Sequence, residues 1–195
     1  MPVNESFVTA ENIRNEEKKS AEELAILRSQ VDPEAFRPLY EEYFKQIFLF
    51  VHHRIGVKEI TADITSQVFL KALVNIKKYT LRGLPFSAWL YRIALNECNS
   101  FFRKNKRYRM VSMEDDMLDE LHEELTAETR LADLRHKLPA ILERLTPEEL
   151  QIIELRFFQQ RPFKEVADIL GITETYAKVK VYRTLDKMRK YFLKK

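Results

Sequence analysis

The sequence predicts an all-α protein made of two small helical domains, and three observations carry that prediction. Glycine is scarce: Gly56, Gly83 and Gly171 are the only three in 195 residues, too few for glycine-dependent β-hairpins. Apolar side chains recur with the i, i+3, i+4, i+7 spacing of helices over long stretches. Charge is segregated along the chain. Arg103, Lys104, Lys106, Arg107 and Arg109 form a basic cluster; "EDDMLDELHEELTAE" (114–128) then holds eight carboxylates and no Lys or Arg; the last twenty residues are basic again. Such alternation sets positive surfaces on either side of an acidic connector. A content of 45% hydrophobic and 32% charged residues is that of a globular chain rather than a disordered one.

Residues 1–30 are polar and weakly periodic, an N-terminal extension read as disordered or as a loosely docked helix. At "DPEAF", Asp32 is an N-cap and Pro33 a first helical residue. Phe36, Leu39, Tyr40, Tyr43, Phe44, Ile47, Phe48, Val51 and Ile55 then mark one helix that Gly56 ends. A second helix is expected from about Thr61 to Tyr79, with Ile64, Val68, Ala72 and Ile76 inward. A third starts near Pro85. These three share a core and define a first domain at 31–109. Residues 110–129 are the acidic linker, whose self-repulsion predicts a flexible joint, cut first by proteases between about Arg107 and Arg130.

The second domain spans 130–195. "TPEE" is a helix start in which Thr146 caps, Pro147 is the first residue and Glu149 closes a capping box. A helix from Pro147 to about Phe158 precedes a short one (163–170), a turn at Gly171 and a long helix from about Thr173. Short helix, glycine turn and cationic helix form the helix-turn-helix pattern.

The motifs of catalysis and cofactor binding are missing. There is no GxxxxGK loop, no HExxH and no zinc-spaced Cys pair, so no cofactor, metal or catalytic residue is assigned. Adjacent His52 and His53 point to different sides of a helix. Lone Cys98 suits a reducing compartment, and no apolar run approaches the roughly 20 residues of a membrane helix. The expectation is a cytoplasmic, non-enzymatic protein that does not engage a membrane.

Two helices carry functional faces. On the third, Phe86, Leu90, Ile93, Ala94, Cys98 and Phe101 point to the core, while Arg92, Asn96, Asn99 and Arg103 line one stripe opposite. Trp89 borders the stripe on one edge; Tyr91, Leu95 and Phe102 border it on the other. Cations follow phosphates, amides bond to base edges and rings stack on unpaired bases, so this face suits a single nucleic-acid strand. On the last helix, Ala177, Val181, Thr184, Leu185 and Met188 pack inward and Tyr176, Lys180, Arg183, Lys187 and Lys190 form a ridge suited to a duplex major groove.

"DPEAFRPLYEEYFKQIFLFV", "ADITSQVFLKA", "FSAWLYRIALN" and "LPAILERLTPEELQIIELRFFQQRPFKEVADILGI" closely resemble bacterial extracytoplasmic-function sigma factors, over roughly residues 32–192. "FSAWLYRIALN" is the most specific part. The resemblance implies a sigma region 2 helical bundle and a region 4 helix-turn-helix. Its implied partners are core RNA polymerase, promoter DNA as duplex and as melted strand, and an anti-sigma factor. It places Asp63, Gln67, Phe69, Leu70 and Lys71 on the polymerase, although the usual Gln-Glu pair reads Ser66-Gln67 here. It places the third helix and the loop after it on the −10 element, with Asn96 at a matching position; the stripe and the basic cluster then assign Trp89, Arg92, Asn96, Asn99, Arg103, Lys104, Lys106 and Arg107 to that contact. It places the last helix on the −35 element, with Lys178 and Arg183 at matching positions, Lys180 where Arg is common and Thr175-Tyr176 replacing the usual Gly-Thr; with the ridge, the −35 contact is assigned to Thr175, Tyr176, Lys178, Lys180, Arg183 and Lys187. The residues alone leave open a helix-turn-helix regulator with an N-terminal sensing or dimerisation domain.

Overall fold

Two prolines decide how the first bundle begins. The Asp32 carboxylate accepts the Glu34 N–H at 3.0 Å, as a cap should, but what it opens is a 3-10 turn, Pro33–Phe36. Continuing that turn as α-helix would place Pro38 in a helix interior, where it has no N–H to donate and clashes with the carbonyl four residues back. The long helix therefore starts afresh at Arg37. In this computed structural model, residues 10–105 and 131–193 are described, together with Leu121, Glu124 and Leu125.

The N-terminal bundle contains α1 (Ala10–Ser29), α2 (Arg37–Ile55), α3 (Lys58–Asn75, with a 3-10 turn Ile76–Lys78) and α4 (Phe86–Asn105). Gly56 ends α2 at φ 72°, its N–H bonded to the His52 carbonyl at 2.8 Å; a side chain there would be strained. Phe86 is the hub of the core, its ring centroid 5.3–6.3 Å from those of Tyr79, Trp89, Tyr43 and Phe36.

From Ala10 on, the first thirty residues form a helix docked on this bundle, the second of the two readings left open by the sequence. Ile26 is fully buried. The Gln30 amide donates to the carbonyls of Ile76 (3.1 Å) and Tyr79 (2.8 Å). Glu22 accepts the Tyr43 hydroxyl and, at 3.0 Å, the Phe86 N–H, so it caps α4 from a distant element. Burial, then the Glu22 carboxylate, pushes the Tyr43 phenol far above its ordinary range. The weak periodicity reflects a helix anchored by a few polar contacts, which a pattern of apolar residues does not reveal.

The C-terminal bundle contains α5 (Leu131–Leu142), α6 (Pro147–Ile153), a π turn over Glu154–Phe158, α7 (Phe163–Leu170) and α8 (Glu174–Leu193). The capping box at α6 is complete: the Thr146 hydroxyl accepts the Glu149 N–H and Glu149 accepts the Thr146 N–H at 2.8 Å. Gly171 ends α7 at φ 68°, and the Ile172 N–H reaches back to the Ala167 carbonyl at 2.9 Å. Ala177, Val181, Thr184, Leu185 and Met188 are buried, the packing face of α8 that the spacing predicts.

Part of the acidic segment also belongs to this core. Leu121 and Leu125 are buried, and Arg189 donates to the carbonyls of Glu124 and, at 3.3 Å, Leu125. The segment is thus not a purely solvated connector; two leucines four residues apart supply an apolar edge within the like-charged run. The rest of the expected protease-sensitive stretch lies outside the described residues.

The two bundles touch. α7 packs on α4, and a buried ion pair, Arg54–Glu154 at 2.6 Å, joins the end of α2 to the π turn. Among the described residues, no helix is long and apolar enough to cross a membrane.

Candidate nucleic-acid interface

Helix α4 turns a narrow polar face outward. Asn96, Asn99, Arg103 and Lys104 are exposed and Arg92 is half-buried. Arg92 pairs with Asp168 at 3.1 Å, whereas Phe86, Leu90, Ala94 and Cys98 on the opposite side are fully buried. Trp89 is partly buried, with its ring 4.9 Å from Tyr79 and 5.4 Å from Phe86. It borders the stripe as a fixed edge rather than as a free ring. Burial, then the surrounding carboxylates, pushes the Tyr79 phenol up to about 12. Lys106 and Arg107 lie outside the described residues. The buried arc is wider than the spacing predicts: Tyr91 and Leu95 are buried, and Tyr91 packs edge-on against Phe50 at 4.7 Å. Glu97 pairs with Lys71 of α3 at 2.6 Å, which accounts for a carboxylate near the apolar side.

A shallow cleft opens beside this stripe, with an interior of about 90 Å³ among Tyr79, Arg82, Trp89 and Arg92. A second groove meets the stripe between α3 and α4, lined by Asn75, Trp89, Ile93 and Asn96. The face therefore combines cations, amides, rings and recesses the size of ring systems, the components of a single-strand site.

On α8 the structure redistributes the predicted ridge. Lys180 pairs with Glu148 and Lys187 with Glu149, both at 2.6 Å, so these ammonium groups lean on α6 instead of standing free. The Glu148 carboxyl is held below its ordinary value by the Lys180 hydrogen bond and charge. Burial pushes Glu149 up, but Lys187 and Thr146 outweigh it and bring it below its ordinary value as well. The Glu149 hydrogen bond raises Lys187 in turn. Solvent is met instead by Thr175, Tyr176, Lys178, Val179, Tyr182, Arg183 and Lys190. Val179 and Tyr182, 40% and 51% exposed, were not predicted for this face. Their signal was in the sequence: both lie far from the centre of the packing arc at 100° per residue.

The α3 residues separate. Asp63, Gln67, Leu70 and Lys71 are exposed, and Leu70 is joined by Val74, which is 69% exposed. Phe69 is buried, edge-on to Tyr40 at 4.8 Å. It forms the floor of an open groove of about 650 Å³ whose walls include Phe36, Tyr40, Leu70 and Leu73. The groove is largely apolar and exposed.

Residues 39–108 match the family model of sigma-70 region 2 and residues 141–190 that of sigma-70 region 4. The chain is 31% identical over 156 residues to the ECF RNA polymerase sigma factor BldN of Streptomyces coelicolor, covering 79% of this chain and 59% of that relative's length. It is 26% identical over 164 residues to the ECF RNA polymerase sigma factor SigX of Bacillus subtilis, covering 81% of this chain and 84% of SigX. In fold it is similar to CnrH, solved in complex with the cytosolic domain of CnrY (TM-score 0.59, 17% identity, 86% of this chain and 94% of that one). It is similar also to the sigma factor RpoE of Bartonella quintana, solved with the anti-sigma factor NepR (TM-score 0.56, 18% identity, 80% and 95%). With region 2 and region 4 matched in order and helical bundles where each requires them, the chain belongs to the ECF sigma factors of RNA polymerase.

Proposed function

We propose that this sigma factor divides promoter recognition between α4 and α8 while α3 holds the polymerase. Residues 31–109, with α1 added at their N-terminal side, serve as the region 2 domain, and residues 130–195 as the region 4 domain. The observation that carries this reading is the pair of exposed polar faces on one chain, each on a helix whose other side is core. Initiation needs duplex recognition and strand opening, and one face suits each.

In this reading Arg92, Asn96, Asn99, Arg103 and Lys104 hold the opened −10 strand, and Lys106 and Arg107 extend the basic track. Trp89 walls the site. Tyr176, Lys178 and Arg183 meet the −35 duplex. Val179 and Tyr182 add apolar contact of the kind that reads thymine methyls, while Lys180 and Lys187 must exchange Glu148 and Glu149 for phosphate. Asp63, Gln67, Leu70 and Lys71 line the polymerase contact, with Phe69 shaping the groove from beneath. An anti-sigma factor is a further partner, competing for these surfaces. The chain carries out no chemistry of its own and acts in the cytoplasm, where polymerase and promoter are.

Run-off transcription with purified core polymerase on genomic fragments tests the reading. Discrete transcripts that depend on this chain, and that disappear with Asn96→Ala or Arg183→Ala, are expected. Duplex binding without core retention or transcripts would favour a helix-turn-helix regulator instead.

A further inference from the structure

Carboxylates are matched unevenly to the cations of α8. Six Lys and Arg side chains stand between Glu174 and Leu193, and four of them have an acidic partner. Lys178 pairs with Glu174 and Arg189 with Asp186, both at 2.7 Å and both within the helix. Lys180 and Lys187 instead reach another element, at Glu148 and Glu149 in the first turn of α6. Arg183 and Lys190 make no ion pair among the described residues. The outward face of α8 thus has one unmatched cation in its middle and one near its end.

The two kinds of pair differ in what holds them. Lys178 and Glu174 are both half-exposed, and such a pair opens into water at little cost. The pairs to α6 are fixed from both sides. One Glu149 oxygen takes the Lys187 ammonium at 2.6 Å and also the Thr146 N–H of the capping box at 2.8 Å, so the start of the helix holds the carboxylate in place. Lys187 lies over the Tyr191 ring, 5.9 Å from its centroid, and Lys180 lies over Tyr176 at 6.0 Å with its side chain only 20% exposed. Both carboxyls sit below their ordinary value, so both are charged at neutral pH.

A lysine held this way grips a phosphate only by leaving its carboxylate. The freed carboxylate then stays beside the duplex uncompensated, or it collects a cation from solution. Either outcome returns part of what the release of a DNA counterion gained. A phosphate contact made without such an exchange adds about 0.9 to the log–log salt slope, and one made with it adds less. The exchange weighs on every sequence alike, because phosphates carry no base identity. Arg183 has no carboxylate to leave.

We propose that Glu148 and Glu149 are positioning residues of −35 recognition. As internal counterions they hold Lys180 and Lys187 back from the phosphates. They thereby set how tightly and how salt-sensitively α8 grips any duplex, and leave the choice of sequence to Arg183 and the exposed side chains around it. The inference rests on the assignment of α8 to the −35 duplex. It adds α6, which has no base-reading residue in that assignment, as the element that governs the strength of the grip.

The test uses the full chain bound to core polymerase and a library of short fluorescent duplexes degenerate at the −35 element. Glu148→Gln and Glu149→Gln, checked for helix content by circular dichroism, should each tighten mean binding at low salt by about 2- to 5-fold, the worth of an exposed ion pair. Each should also steepen the salt slope by about 0.9, with the order of preference among sequences unchanged. Glutamine serves in a capping box as well as glutamate does, so Glu149→Gln removes the charge and keeps the helix start. Glu148→Gln carries the test alone should the other variant fail to fold. Glu143→Gln controls for net charge, since Glu143 is exposed just past α5 and pairs with neither lysine; it should move both quantities far less. In a Lys180→Ala background, Glu148→Gln should do no more than Glu143→Gln, because its effect passes through that ammonium. Equal tightening by Glu143→Gln, or tightening by Glu148→Gln that survives Lys180→Ala, is a bulk charge effect and would overturn the proposal. So would glutamate variants that bind as wild type does while Arg183→Ala still loses discrimination. If Arg183→Ala and Lys180→Ala both leave duplex binding unchanged, the assignment of α8 to the duplex itself fails, and α6 has no grip to govern.

Discussion

Asn96 separates stability from function most cleanly, because it is exposed and caps nothing among the described contacts. Asn96→Ala should change unfolding free energy by no more than about 0.5 kcal/mol, while permanganate reactivity of promoter thymines in the initiation complex falls. Arg183 and Lys190 are both exposed on α8, and they should fail differently. Residues toward the N-terminal part of a recognition helix reach base edges, and later ones meet phosphates. Arg183→Ala should remove about 1–3 kcal/mol of discrimination at one position of a −35 duplex library. Lys190→Ala should weaken all sequences alike and reduce the log–log salt slope by about one. Lys187 is a poorer probe of the same point, since its ammonium is already held by Glu149.

Helix α6 shows how one element serves two ends. Its capping box starts the helix, and the same glutamates reach across to α8. Thr146→Ala should cost about 1 kcal/mol, read as a lower melting temperature of the C-terminal bundle. The pH dependence follows from the direction of the shifts. Glu148 and Glu149 lie below their ordinary 4.5, so the stability they lend is complete above that pH and drains as pH falls through their lower folded values. Lys187 lies above its ordinary 10.5, so its share is complete below that pH and is lost as pH rises through the folded value. Acid unfolding of Glu149→Gln should therefore start from a lower plateau and show a shallower slope below about pH 4.5 than wild type; an unchanged slope would mean that the Lys187 contact contributes nothing in solution.

Across the whole molecule, the Arg54–Glu154 pair joins residues 100 apart in sequence and lies out of reach of water. Removing one member of a buried pair strands the other, at about 3–5 kcal/mol, whereas replacing both by apolar groups is far milder. Arg54→Met should accordingly split the calorimetric melt into two transitions as the bundles part. Arg54→Met combined with Glu154→Leu should restore much of the single transition. Equal melts for the single and double variants would mean that the pair does not hold the bundles together.

What the sequence determined by itself was local. Helical spacing, the capping box at Thr146, the stops at Gly56 and Gly171, the packing face of α8 and the outward stripe of α4 are all set by residues within a few turns of one another, and all were legible. Tertiary structure decided whatever depends on a distant partner. Pro38 alone signalled the break after the Asp32 cap, but only the packed bundle gave α1 its place, through Glu22 and Gln30 on backbone groups of α4 and the turn after α3. Lys180 and Lys187 belong to a cationic ridge by spacing and to α6 by contact. Tyr91 and Leu95 lie on a border in projection, yet both are buried, and Tyr91 sits in the contact between the bundles. Hydrophobic periodicity reports which side of a helix is dry; it is silent about which polar group another helix will bring to the edge, because ion pairs and hydrogen bonds are directional and depend on coordinates rather than on period.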